Sequence, residues 1–516
     1  MYKVFDRISA GDNDLATIKF VGKLPDHIWG SNTVALGVEW DRPDRGKNNG
    51  EIEGISYFKT DVENAGSFLK ASNKKIEKNR FSFVEQVLQQ YSVSSYSEQN
   101  IHFGSKVVQE LGLDKLTKIQ ANFANLTSVT LDHQLIDRSG EDLENFSQVL
   151  GSLSNLKRLD LGYNLVNDLN IIWEIIDALP QLEWLILNGN RFFELSSSDS
   201  IVSHNLQKLE LSSTNISIEQ VRQKILPKFP HLKELYLAGN SYKDSDIINL
   251  DLRGTNIELI DLSLNELTVV PIKIVSAKSI NLNENHISAI PPECNLENVN
   301  VLDLRRNSID EWSFIDQLYL LAPNLLELRI NRNPVLDTLS IEEMTVQIIA
   351  RFECEDHRRN PTKLFKLNGS PLNDDEITNA ELYFISKVRQ KEIIFKNEKR
   401  WKKLLSKHNI PDTFIDTNII DTHWLAGGKR ICLSLHFAED NRVSRCFLRT
   451  YSVLRLKGIV SRFLGDVSIL RLNLYFYVNE FDEDSNTKVK QNIDDDSSIL
   501  DNFGFQQNQT IYVSIE

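Results

Sequence analysis

Leu156-Lys157-Arg158-Leu159-Asp160-Leu161-Gly162-Tyr163-Asn164 places leucines at the first, fourth and sixth positions and an asparagine at the ninth. The same figure returns at Leu182, Leu185, Leu187 and Asn190, and at Leu232, Leu235, Leu237 and Asn240. It continues as Ile257, Ile260, Leu262, Asn265 and Leu267, then Ile280, Leu282, Asn285 and Ile287. Leu302, Leu304, Asn307 and Ile309 follow, and then Leu325, Leu328, Ile330 and Asn333. Weaker copies begin at Leu126 and Leu206, with Gln134 and Thr214 in place of asparagine.

Copies recur every ~20 to 30 residues, the period of leucine-rich repeats. Each copy supplies one short parallel strand and a returning segment, and its leucines enter a core that a single repeat cannot close. The asparagine points inward, where its amide serves backbone groups at the turn. A central α/β solenoid over residues 121–335 is therefore expected, with 73–120 as linker and N-terminal cap. Pro334 to Val388 breaks the repeat and reads as helical, so 336–390 is expected to cap the open end. Lys387 to Lys407 holds nine Lys/Arg against two Glu. It reads as part of a basic helical linker, 391–429, solvated or docking an acidic partner.

Outside the solenoid the patterns change. Residues 1–72 are rich in Gly, Val, Ile and aromatics, with turn signals at Asn49-Gly50, Glu53-Gly54 and Ala65-Gly66, which predicts a small β-barrel. Phe81 to Tyr91 reads as a short helix. Residues 430–516 run strand, strand, helix (Val453 to Phe463), strand (Leu472 to Val478), strand (Thr510 to Ile515), with a turn at Asp440-Asn441. That order is a compact α+β roll.

Bulk properties narrow the function. A chain of 516 residues implies several domains. The formal net charge of −14 disfavours general nucleic-acid binding. Cys294, Cys354, Cys432 and Cys446 are widely spaced with no C-x-x-C pair, which argues against structural zinc or a disulfide framework and for a reducing compartment. Neither a secretory signal nor a membrane span is expected. No nucleotide loop of the G-x-x-x-x-G-K-[ST] type and no H-E-x-x-H pattern occurs. His204 and His231 precede repeat strands and read as turn residues. Cys354 with Asp356 and His357 is a sequence-local trio, weak support for a thiol site. No enzyme, metal or cofactor is expected.

The N-terminal barrel resembles the CAP-Gly family through Leu36-Gly37-Val38-Glu39-Trp40-Asp41, Arg45-Gly46-Lys47-Asn48-Asn49-Gly50, Gly54, Tyr57-Phe58 and Gly66-Ser67-Phe68. Asn49 stands where the family usually has Asp, and Ala35 where many members carry Trp. The resemblance implies a grip on acidic C-terminal tails ending in an aromatic residue, such as that of α-tubulin. Gly46 and Gly50 would let a tight loop expose backbone N–H groups. Lys47 and Asn48, with Asn49, would meet carboxylates, and Trp40, Phe58 and Phe68 would line an apolar groove.

The C-terminal roll resembles ubiquitin in strand order and in Ser498-Ile499-Leu500-Asp501-Asn502-Phe503-Gly504-Phe505 followed by Gln509-Thr510-Ile511-Tyr512-Val513. The sequence ends at Glu516 without a Gly-Gly pair, so conjugation is not expected and docking, for instance to the proteasome, is. CAP-Gly, leucine-rich repeats and a ubiquitin-like roll in this order resemble the tubulin-folding cofactor E family. The resemblance implies a cytoplasmic, cytoskeleton-associated chaperone that binds α-tubulin and the αβ dimer. It would assemble or dissociate heterodimers with other tubulin-folding cofactors and a small GTPase. A microtubule-associated adaptor and a shuttle delivering tubulin to the proteasome are the alternatives.

Positions between the strand leucines should face the concave side. They give Thr130, Asp160, Ile186, Glu210, Tyr236, Asp261, Asn281, Asp303 and Arg329, flanked by Asp132, Trp184, Glu234 and Glu327: an acidic column with an aromatic cluster at Trp184, Ile186 and Tyr236. This column is the expected grip on the folded body of a client.

Overall fold

The computed structural model describes residues 2–11, 13–91, 102–103, 106–107, 123–140, 143–193, 205–274, 276–411, 430–437, 442–465, 467–478 and 489–515. They fall into two compact units, Met1–Arg400 and Trp401–Glu516. His204, the Asp440-Asn441 turn, and most of 92–120 and 412–429 lie outside the described residues.

In the first unit, alternating apolar residues give the strands Arg7–Ser9, Leu15–Gly22, Ala35–Trp40 and Gly66–Lys70, antiparallel in chain order. Ile8, Ile18, Leu36, Val38, Trp40 and Ile76 fill the barrel they enclose.

The repeats form nine three-residue strands from Ser128–Thr130 to Glu327–Arg329, each parallel to the next. Register aligns one leucine-type residue per strand: Leu159 opposite Leu185, Leu209 opposite Leu235, Ile260 opposite Ile280. All of these are at most 1% exposed. Burying such a side chain stabilises by about 1.5–3 kcal/mol, and the stacking explains why no single repeat could fold alone.

The asparagines form a ladder. Asn240 Nδ2 donates to the Leu237 carbonyl of its own repeat (3.0 Å) and to Leu211 of the preceding one (2.9 Å). Asn190, Asn265, Asn285, Asn307 and Asn333 repeat this double bond with their own pairs of carbonyls. Thr214 fills the same rung with a hydroxyl, donating to Leu211 O at 2.8 Å while fully buried.

The repeat does not end at Asn333. Lys366–Leu367 adds another parallel strand beside Glu327–Arg329, and Ser370–Pro371 folds back antiparallel. Asn368 Oδ1 accepts from Ile330 N at 2.8 Å, continuing the service of backbone by asparagine. The intervening helix Ile341–Arg351 interrupts the sequence period and hides this rung. Helix Asp374–Arg389 packs on it. Arg351 is buried between the Trp312 ring (4.3 Å) and Asp316 (2.6 Å). The basic run is not wholly solvated: Arg400 donates to Glu381 and to the Ala350 carbonyl, each at 2.9 Å, with both side chains at most 3% exposed. At the other end Phe81–Ser82 pairs with Ile136–Arg138, and the helix begins at Phe83 behind a reciprocal Ser82–Glu85 cap.

In the second unit the sheet order is Arg442–Leu448, Arg430–His436, Gln509–Ile515, Leu472–Tyr477, Lys490–Asn492. The two central strands are parallel, and helix Val453–Phe463 contributes Val453, Leu456 and Val460 to the core. Lys490–Asn492, too polar to announce itself, is an additional edge strand. The cysteine spacing misled: the hairpin register sets Cys432 opposite Cys446, and the two are joined as a disulfide. Cys294 and Cys354 are buried and take no part in that disulfide.

Candidate functional site

The barrel loop Gly46–Gly50 is built on backbone proximity. A Cβ on Gly46 would lie 2.0 Å from Asn64 O, and Gly50 has φ +89°. The loop consumes its own N–H groups rather than exposing them: Lys47 N (2.7 Å) and Asn48 N (3.1 Å) both donate to Gly66 O, and Gly50 N donates to Asn48 Oδ1 at 2.9 Å. What remains for a ligand is the exposed Lys47 ammonium and the Asn48 amide nitrogen. Asn49 Oδ1 accepts from Thr60 Oγ1 (3.2 Å) and from Asn64 N, bracing the following turn.

The expected groove aromatics divide. Trp40 is barrel core, 5% exposed, with the Arg45 guanidinium 5.0 Å from its ring. Phe58 is 7% exposed and packs where a Cβ on Gly37 would clash. Trp40 is part of the barrel core, whereas Phe58 lies over Gly37 on the other strand face, beneath the Phe68 ring at 5.2 Å. Phe68 is half-buried in a cluster with Phe20, Tyr57 and Phe58, ring centroids 5.2 to 6.5 Å apart. Phe20 and Tyr57 are the partly exposed rings that sequence reasoning left out. Tyr57 lay inside the quoted motif, whereas Phe20 carried no motif signal.

The concave face is a ladder of alternating cations and rings. Arg158 lies 4.7 Å from the Trp184 ring, Lys208 lies 4.0 Å from Trp184, and Lys208 lies 4.6 Å from Tyr236. Glu210 accepts from Trp184 Nε1 (3.0 Å) and Asn188 Nδ2 (2.9 Å). Tyr236 donates its hydroxyl to Glu234 at 3.0 Å. Burial first, then Glu234, pushes the Tyr236 phenol well above its ordinary range. The acidic column is thus internally paired. Asp160 meets Arg158 at 3.1 Å, and Asp261 accepts from Ser263 and Asn281. Asp303 is 6% exposed and held by Arg305 at 2.6 Å. Ile186, also 6% exposed, has almost no free surface, unlike the half-buried Trp184 and Tyr236. The basic residues flanking the template positions belong to the site, and a reading that followed only one column missed them.

The trio at Cys354 does not assemble as a catalytic group. Arg358 holds Asp356 at 2.5 Å, and the His357 ring bonds the Leu372 carbonyl at 2.7 Å. Among the described residues no group of His, Cys, Asp and Glu is placed to hold a metal, and no helix is long and apolar enough to cross a membrane.

Residues 4–74 match the family model for the CAP-Gly domain. Protein PAC2 of Saccharomyces cerevisiae is 31% identical over 422 residues, covering 79% of this chain and 78% of that protein. Tubulin-specific chaperone E of Bos taurus is 28% identical over 476 residues, covering 86% of this chain and 81% of its own length. The chain belongs to the tubulin-specific chaperone E family. Among solved structures, the C-terminal ubiquitin-like domain of mouse tubulin-specific chaperone E matches at 16% identity and TM-score 0.15, covering 17% of this chain and 90% of that domain.

Within this member of the tubulin-specific chaperone E family, three surfaces stand apart. The Lys47 loop is polar and exposed, the Phe20–Tyr57–Phe68 cluster is apolar and partly open, and the Trp184–Lys208–Tyr236 ladder is braced by carboxylates.

Proposed function

We propose that this protein is a tubulin-folding chaperone that acts with other tubulin-folding cofactors. Its barrel holds the acidic tail of α-tubulin while the solenoid's concave face holds the folded subunit. The observation that carries the reading is the similarity to tubulin-specific chaperone E over 86% of this chain, which extends well beyond the barrel. The chemistry is compatible. An unpaired ammonium and an amide beside partly exposed rings suit a carboxylate followed by an aromatic side chain. Two modest grips on one client multiply through effective concentration. Through these contacts the protein assembles αβ heterodimers and can take them apart, with a small GTPase as a further partner. The ubiquitin-like unit is a docking module, with the proteasome as its proposed partner.

The test is binding of the full chain to soluble αβ-tubulin, intact and lacking the terminal aromatic of the α-tail. Tail-dependent binding that weakens in Lys47→Ala supports the barrel grip. Absence of binding to either form, with the purified cofactors present, would overturn the chaperone reading.

A further inference from the structure

The ubiquitin-like unit brings two sulfurs together by register. Strands Arg430–His436 and Arg442–Leu448 are antiparallel, and their pairing runs without a break from Arg430 opposite Leu448 to His436 opposite Arg442. Cys432 and Cys446 form one of these cross-strand pairs and are joined. The fold does not depend on the bond. The other register pairs hold the strands together without it, and Leu433, Leu435 and Phe447 from the same two strands enter the core.

The two sulfurs differ in access. Cys432 is 4% exposed and lies on a strand with a neighbour on each side. Cys446 is exposed and lies on the edge strand, whose outer side has no neighbour among the described strands. That strand carries Arg442 and Arg445 and no acidic residue, a field that draws anionic thiols such as glutathione. A disulfide that solvent reaches at one sulfur is open to thiol exchange. In the reducing compartment expected for this chain, the disulfides that form are mostly transient and redox-sensing.

The bond also sits beside the open face of the sheet. Leu433 and Leu435 point into the core, so Cys432 and His436 alternate onto the opposite face. There the His436 ring meets the Tyr512 ring at 5.2 Å, Tyr512 stacks on Tyr475 at 5.3 Å, and Tyr477 is 5.3 Å from Tyr512. His436, Tyr512 and Tyr475 are successive partners across three strands. The strand that carries Cys432 thus also carries one end of an aromatic row.

We propose that Cys432 and Cys446 are a reversible redox site, dithiol at rest and closed by a hydroperoxide to a disulfide that clamps the two strands and stiffens the open face. Cys446, the exposed sulfur, attacks the outer peroxide oxygen. The O–O bond breaks, the alcohol (water, from hydrogen peroxide) leaves with the thiol proton, and Cys446 becomes a sulfenic acid. The Cys432 sulfur then displaces water, so two thiols and one hydroperoxide give one disulfide, one alcohol and one water. In reversal a thiolate attacks Cys446 Sγ, Cys432 leaves and takes up a proton, and a second thiol resolves the mixed disulfide. The inference is independent of the client-binding reading, so either can fail without the other.

The test uses the full chain, equilibrated with reduced glutathione and a catalytic dithiol reductase, then treated with hydrogen peroxide. Thiols are blocked with iodoacetamide in urea and mapped by mass spectrometry. Cys432 and Cys446 should be alkylated from the reduced buffer, recovered as a cross-linked peptide pair after peroxide, and alkylated again after fresh glutathione. Cys294 and Cys354, 4% and 7% exposed, should stay thiols throughout. A bond that survives the reduced buffer in the folded chain marks a permanent structural disulfide and overturns the proposal, as do two thiols unchanged by peroxide. In Cys432→Ser, peroxide followed by dimedone should label Cys446, and in Cys446→Ser it should leave Cys432 unlabelled; the reverse pattern overturns the assignment of roles. Hydrogen exchange reads the clamp. Amides of Arg430–His436 and Arg442–Leu448 should exchange about tenfold slower or more in the oxidised chain, as expected for closing a loop with a sequence separation of 14. Equal exchange in the two forms overturns the switch.

Discussion

The ammonium of Lys208 sits 4.0 Å from the centroid of the Trp184 indole ring, with the Tyr236 ring 4.6 Å away on a neighbouring repeat. Two aromatic side chains held apart by a cation lose little freedom on binding, which is the condition under which aromatics dominate an interface. Trp184→Ala combined with Tyr236→Ala should weaken binding of soluble tubulin about tenfold or more while the far-ultraviolet dichroism stays that of the wild type. Unchanged affinity in a folded double variant would remove the concave face from the proposed client contact.

The asparagine ladder predicts a stability effect separable from binding. Asn240 is 6% exposed and serves four backbone groups, accepting from Thr214 N and Asn215 N and donating to Leu211 O and Leu237 O. Asn240→Ala should cost about 3 kcal/mol or more, since each orphaned buried group costs roughly 1–3 kcal/mol. Urea unfolding followed by tryptophan fluorescence measures it. Thr214→Val, which removes a single hydroxyl donor, should cost about 1 kcal/mol.

Asn49 tests whether a departure from a family pattern matters. Its amide oxygen accepts from Thr60 and Asn64, a task a carboxylate oxygen performs equally. Asn49→Asp should therefore leave barrel stability within about 0.5 kcal/mol. Asn49→Leu, with no acceptor, should loosen the 60–64 turn and lower tail affinity several-fold, as a calorimetric titration with tail peptide would reveal.

Burial pushes the Cys294 thiol up to about 11, and the residue is 4% exposed. Thiolate is the reactive form, so at mildly alkaline pH Cys294 should resist iodoacetamide in the native chain and react promptly in urea. Mass-spectrometric mapping that found Cys294 alkylated as fast in the folded protein would contradict its placement.

The solenoid was legible because its signal is redundant. Leu159, Leu185 and Leu235 sit in equivalent places, and one chemical rule explains them all. The extra rung at Lys366–Leu367 was not, because the helix Ile341–Arg351 separates it from its neighbour by more than a repeat. The barrel motif marked the Gly46–Gly50 loop but not which of its atoms stay free. Whether the N–H of Lys47 faces a ligand or Gly66 O is decided across the sheet. Trp40 and Phe68 belong to the same motif, yet only three dimensions show that one ring faces the core while the other joins a partly open cluster. The cation ladder was invisible to a column read one position at a time, since Lys208 reaches its two rings across strand boundaries. Cys432 and Cys446 were likewise judged by distance along the chain, which a hairpin cancels.

The last strand of the long sheet ends in Pro371, a residue with no N–H to offer a further strand. At the opposite edge the Tyr91 hydroxyl accepts the Thr130 N–H at 3.0 Å. A stack of identical rungs is a template on which another copy could continue, and such ends invite filaments. With a donorless residue at one end and an occupied donor at the other, a protein that handles a filament-forming client is itself poorly shaped to become one.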